Sequence, residues 1–243
     1  MAGVPALVAG MLATVVTGCG AISQLTAPPT PLRPLGAPAL GPPGDGGYAF
    51  LAIHPDGSPM AWDPCREIHV VVRPDNEPAG GRELLLSVLS ELHTATGLVF
   101  VDDGATTEPP DLRRETAQPE RYGSGWAPVL VTWSTSTEVP DLTDDILGFA
   151  SPVPAGSGAG ARFVTGQAVF HAALIDAQLS SGQNAKVRAV LLHELGHLIG
   201  LGHVNDLYQV MYDTNSYPLA AYHAGDLRGL ELLGRGRCFR GGP

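Results

Sequence analysis

The sequence predicts an α+β domain: a twisted sheet, a helix that carries the reactive residues, and a closing helix near the C-terminus. Three observations predict it. Short apolar runs bounded by turn residues recur at 68–73, 98–101, 129–133, 148–153 and 162–170, each of strand length. Two stretches carry the 3.6-residue period of amphipathic helices, one through Leu84, Leu85, Val88, Leu89 and Leu92, the other through Val187, Leu191, Leu195 and Leu198. The second of these stretches continues into residues 193–203, whose spacing is H-E-x-x-H-x-x-G-x-x-H.

In chain order, residues 4–18 are small and apolar, too short for a membrane span, which needs ~20 residues, and suited to a signal-peptide core. The run ends at Val16-Thr17-Gly18-Cys19, which resembles a bacterial lipobox. That resemblance implies cleavage before Cys19, lipid on its thiol, and attachment of an exported protein to the cell surface. No Lys or Arg precedes Cys19, and a signal segment with an incidental cysteine is the alternative. Residues 20–47, with Pro28, Pro29, Pro31, Pro34, Pro38, Pro42 and Pro43, read as an extended linker without a core of its own. Residues 48–243 are then expected to form one folded domain that holds the motif. Its opening is expected to be a strand pair, 48–53 with 68–73, turned by Pro55-Asp56-Gly57. A helix over 79–96 follows and stops at Gly97. His93 on that helix reads as a surface residue. Residues 106–125 read as a polar loop. The runs 148–153 and 162–170 flank a glycine-rich turn at 156–160. The motif helix spans 184–199, and a last helix spans 222–233.

The motif has a chemical reading. Two histidines four apart lie about 40° apart around a helix, so His193 and His197 can reach one ion. Gly200 can take positive φ and turn the chain back, returning His203 as third ligand. Three imidazoles and an open position describe a catalytic zinc site rather than a closed structural one. Glu194 stands beside the two ligands as general base for a zinc-activated water. Met211, a short loop beyond His203, is placed to floor the metal.

These residues, with Val210-Met211-Tyr212, resemble the metzincin zinc metalloproteases, whose signature joins the long zinc motif to a Met-turn. Trp62-Asp63-Pro64-Cys65, Ala95-Thr96-Gly97-Leu98 and Gly225-Asp226-Leu227 extend the likeness to bacterial matrixin-like proteases over roughly residues 48–238. The resemblance implies a mostly parallel sheet with an antiparallel edge strand above the zinc helix, for which residues 147–154 are the candidate, and a specificity pocket near residues 213–217. It also implies a zinc-dependent endopeptidase with one catalytic Zn2+ and a polypeptide substrate. No cysteine-switch propeptide and no second His/Asp cluster with structural-site spacing accompany it. The rival reading is a catalytically silent zinc-binding surface module, against which Glu194 argues, because holding zinc alone does not require it.

Composition narrows the remaining classes. A net charge of −10 excludes the basic stripe that nucleic acid requires, and a monomer is expected. Cys19, Cys65 and Cys238 are the three cysteines. With Cys19 lipidated, Cys65 and Cys238 form an even pair that an exported compartment permits to bond. Closing so long a loop stabilises by about 5 kcal/mol in the chain-entropy picture. Two buried thiols are the alternative.

Overall fold

Near-continuous apolar runs bury the inner strands of the central sheet on both faces, and the long helices cover one of them. The computed structural model of the chain describes residues 32–43, 47–213 and 219–241, which fall in a unit beginning at Leu32. Its elements run β1 (Ala49–Phe50), β2 (Ile68–Arg73), α1 (Gly81–Thr96), β3 (Phe100–Ala105), α2 (Pro119–Tyr122), β4 (Val129–Ser134), β5 (Gly148–Ala155), β6 (Arg162–His171), α3 (Ala172–Ser180), α4 (Asn184–Ile199), β7 (Leu201–Gly202) and α5 (Ala224–Gly234). The sheet order is β3-β2-β4-β6-β5. β3, β2, β4 and β6 are parallel, and β5 is antiparallel at the edge. This is the α+β, metzincin-like arrangement that the sequence suggested. Among the described residues no helix is long and apolar enough to cross a membrane.

One set of strand residues, including Val70, Val131, Trp133 and Phe170, packs against Leu85, Val88 and Leu92 of α1 and Leu191, Leu195 and Leu198 of α4. β4 is buried along its whole length, as expected of a parallel strand covered on both faces. On the opposite face Val169 meets Val139 and Leu142 from the loop after β4. Cys65 and Cys238 are disulfide-bonded, with Cα atoms 5.4 Å apart, which ties the approach to β2 to the C-terminal tail.

Several sequence expectations change. Residues 48–53 do not pair with 68–73. β2 has β3 and β4 on its two edges and offers no free one, so β1 pairs instead with β7, immediately after the zinc helix. The turn at 54–58 closes on itself, with the Ser58 carbonyl accepting from His54 N–H at 2.8 Å. The third strand starts at Phe100 rather than at 98 and runs on to Ala105. Helix α3 was not anticipated; it buries only Ala172 and Ile175, too few positions to give a periodic signal.

Part of the expected linker also lies on the domain. Leu35 N–H donates to the Pro64 carbonyl (2.8 Å), Ala39 N–H to the Thr94 carbonyl (3.0 Å), and Gly41 N–H to the Glu231 carboxylate (3.3 Å). Backbone groups rather than apolar side chains hold this strap, which is why hydropathy did not reveal it. Residues 20–31 lie outside the described residues.

The stretch 106–125, read as a polar loop, contains α2 and a buried ion pair. The Arg114 guanidinium grips Glu108 through two hydrogen bonds of 2.7 and 2.9 Å. It also donates to Thr165 Oγ1 at 2.6 Å and to the Pro128 carbonyl at 2.7 Å. Burial pushes the Glu108 carboxyl up, but hydrogen bonds from Arg114, Gln118 and Tyr122 prevail and hold it below the ordinary range. Arg114→Met leaves that carboxylate buried without its cation and is expected to cost about 3–5 kcal/mol in denaturant unfolding. Because the folded pKa is depressed, Glu108's contribution is present above its unfolded pKa and disappears as pH falls through the folded one. The gap between wild type and variant should therefore narrow in acid. A variant with the wild-type unfolding midpoint at neutral pH would contradict this account.

Candidate metal centre

Helix α4 carries His193 and His197 one turn apart, and it ends at Gly200, whose φ is 123°. A Cβ at that position would meet Phe163 at 3.0 Å and Leu233 at 3.1 Å, so both backbone angle and space call for glycine. The chain turns there, pairs briefly through β7, and delivers His203. The three Nε2 atoms converge: His193 to His203 3.1 Å, His193 to His197 3.1 Å, and His197 to His203 3.0 Å. They form a group able to hold a metal ion.

The chemistry of the donor set fits a cation. His193 Nδ1 lies 2.8 Å from the Val210 carbonyl, and His197 Nδ1 lies 2.8 Å from the Leu201 carbonyl. A carbonyl only accepts, so both Nδ1 atoms carry protons and both Nε2 atoms present lone pairs. Two such lone pairs 3.1 Å apart repel unless a cation sits between them. Nitrogens at ~2.0–2.1 Å from a tetrahedral zinc are about 3.3 Å from each other, close to the separations seen. Burial lowers the pKa of His193, and burial together with the nearby His193 lowers that of His197 to about 4. Both rings are therefore neutral and ready to ligate at physiological pH. His203 is exposed, which leaves one side of the cluster open to solvent.

Glu194 is half-buried beside the cluster. Burial pushes its carboxyl up to about 8, opposed by a hydrogen bond from the Ala150 backbone on the edge strand. Met211 is 1% exposed and lies against α4. A Cβ on Gly196 would come within 2.6 Å of Met211 Sδ. Glycine in mid-helix, unfavourable by roughly 1 kcal/mol relative to Ala, is thus what lets the methionine lie against α4. The turn holding Met211 is fixed from α5. The buried Asp226 carboxylate accepts from the N–H groups of Val210 (2.8 Å), Met211 (3.2 Å) and His223 (3.0 Å). Reciprocally, Gln209 Oε1 accepts from Gly225 and Asp226 N–H at 2.9 and 3.0 Å. Val210 also supplies the carbonyl that orients His193, so this lock reaches a ligand directly.

Residues 131–232 match the matrixin peptidase family. The matched stretch runs from β4 into α5 and includes all three histidines, Glu194, the Met-turn and Asp226. The match supports a matrixin-like metzincin domain. None of the curated proteins compared with the chain matches it. Matrixins are zinc-dependent peptidases, so the match supports a metalloprotease.

The structure brings together His193, His197 and His203, sets Met211 against Gly196 of α4, and bonds Cys65 to Cys238. Cys19 and residues 214–217 of the expected specificity pocket lie outside the described residues. His93 is exposed, with Nδ1 on the Leu98 carbonyl at 2.8 Å, and is far in role from the ligands. Gln209 and Asp226 were missed as site residues. An acidic residue at the third helical position is a capping signal, and it could have drawn attention to Asp226. A cavity of about 500 Å3, lined by Trp62, Trp126 and Arg162 among others, shares no residue with the histidine cluster.

Proposed function

We propose that the matrixin-like domain is a zinc-dependent endopeptidase acting on extended polypeptide segments. The observation that carries this reading is the convergence of three Nε2 atoms beside the Glu194 carboxylate, below an open sheet edge. β5 continues past Ala150 in both directions. A peptide added along that edge would extend beyond the site on both sides, as internal cleavage requires.

His193, His197 and His203 would hold the zinc ion, which when bound would supply Lewis acidity to a water and to the scissile carbonyl. Glu194 accepts the water's proton on a carboxylate oxygen and later delivers it to the leaving amine nitrogen. Burial raises the Glu194 carboxyl, and a dication at the three nitrogens would lower it again, favouring the ionised form that a base requires. His193 and His197 are held in one tautomer by their carbonyl partners and need no proton removed before ligation. No side-chain nucleophile takes part. The test is digestion of an unbiased peptide library by the zinc-loaded protein. Internal cleavages should vanish with a chelator and return with added zinc. Cleavage that persists in chelator, or trimming confined to peptide termini, would overturn the reading.

We also propose export with lipid attachment at Cys19. The small residues before Cys19 support it, and the disulfide suits an oxidising compartment. Wild type should enter the detergent phase on partitioning and Cys19→Ser should stay aqueous; equal release of both into the medium would mean ordinary secretion.

A further inference from the structure

We propose that Pro152 and Pro154 make the substrate edge of β5 one-sided, so that a bound peptide meets a backbone donor as well as acceptors over Gly148–Ala150 but no donor further along. The proposal rests on the peptidase reading above and adds to it a determinant of how substrate is gripped.

The register fixes which backbone groups are free. In an antiparallel pair, residues bonded to the neighbour strand alternate with residues whose N–H and C=O face away. His171 N–H donates to the Leu147 carbonyl at 2.8 Å, so the 147–171 pair is a bonded one. Two-residue steps through the register make Phe149↔Val169, Ser151↔Gln167 and Val153↔Thr165 bonded as well. Gly148, Ala150 and Pro152 therefore turn their backbone groups outward. The hydrogen bond between Ala150 and Glu194 independently places the Ala150 backbone on the site side. Beyond the irregularity at Val153/Pro154, Phe163 N–H donates to the Ala61 carbonyl at 3.1 Å and not to β5, so Pro154 faces outward too.

Every second residue faces outward, and from 152 on each of those is proline. Proline has no N–H. Gly148 offers one donor and one acceptor, and Ala150 offers its carbonyl while its N–H is turned to Glu194; Pro154 offers a carbonyl alone, and the buried Pro152 has no N–H to offer. Substrate carbonyls lying over 152–154 therefore have no protein donor. Affinity is consequently concentrated on the Gly148–Ala150 side of the cleft, and the other side accepts chain without selecting strongly for its length. The same prolines prevent the edge from completing a ladder with a second copy of the chain. Guarding the edge is the competing explanation that the test must separate.

The probe is a peptide of about ten residues, taken from the library by cleavage with the zinc-loaded protein or by binding to its Glu194→Gln variant. Shortened forms lack one residue at a time from either end. kcat/KM is measured for wild type, Pro152→Ala and Pro154→Ala, and Kd for the same substitutions in the Glu194→Gln background. For wild type, removing residues from the end lying over 152–154 should cost less than about twofold each, and removal from the other end should cost more. Each proline-to-alanine change restores one donor. It should raise kcat/KM for the long peptide about two- to tenfold, the net effect of one hydrogen bond, and leave the peptide shortened to Ala150 unchanged. Pro152 is buried, so Pro154→Ala, at an exposed position, answers even where Pro152→Ala folds poorly. Equal effects on long and short peptides, or none, would overturn the proposal and leave the prolines as edge guards. Binding that depends on length and on the prolines without cleavage by wild type would sink the peptidase reading and keep this one.

Discussion

Glu194→Gln is expected to keep its zinc and its thermal unfolding while losing about 10²–10⁴-fold in peptide hydrolysis. Glutamine has the shape of the glutamate, and its amide oxygen can still accept from the Ala150 backbone, so packing against β5 survives. What is lost is a group able to hold and return a proton. Glu194 is not among the converging nitrogens, so metal retention should be indifferent to the change. Zinc content, melting and hydrolysis must be measured on one preparation. Cleavage at the wild-type rate with zinc in place would mean that another group is the base.

The second large effect concerns the ligands, which should separate from one another. His203 is exposed and follows a two-residue strand, so His203→Ala removes a ligand without disturbing the core. Zinc should fall from one equivalent to near none after dialysis, with hydrolysis lost and unfolding of the metal-free protein unchanged. The drop in affinity should exceed the ~10–100-fold that follows loss of a hydrogen bond supporting a ligand. His193→Ala removes a ligand and also the contact to the Val210 carbonyl that joins α4 to the Met-turn, so it should lose metal and some metal-free stability together. A His203→Ala protein with full zinc occupancy would remove His203 from the ligand set.

The site was legible in the sequence because it is local. His193, Glu194, His197, Gly200 and His203 lie within eleven residues, and helical geometry with one glycine turn relates them without long-range information. The long helices α1 and α4 and the edge hairpin β5–β6 were legible for the same reason, since each carries its own period or turn. What escaped depends on contacts between distant segments. β1 finds β7, some 150 residues on, only because β2's edges are already taken. The strap at 35–41 is held by backbone hydrogen bonds that leave no pattern in side chains. Arg114 sits in a polar stretch, and nothing local indicates that Glu108, Thr165 and Pro128 will enclose it. Asp226 has the same character: its capping position is local, but its grip on the Met-turn is made fifteen and sixteen residues away.

The central claim, one zinc held by three imidazoles with a position left open, is most directly tested by X-ray absorption at the zinc edge of the purified protein. The predicted first shell is nitrogen and oxygen at ~2.0–2.1 Å, three of the scatterers being imidazoles with their outer-ring signature, and no sulfur at ~2.3 Å. The imidazole count should drop by one in His203→Ala reconstituted with excess zinc. A sulfur shell, or an imidazole count unchanged in that variant, would contradict the account.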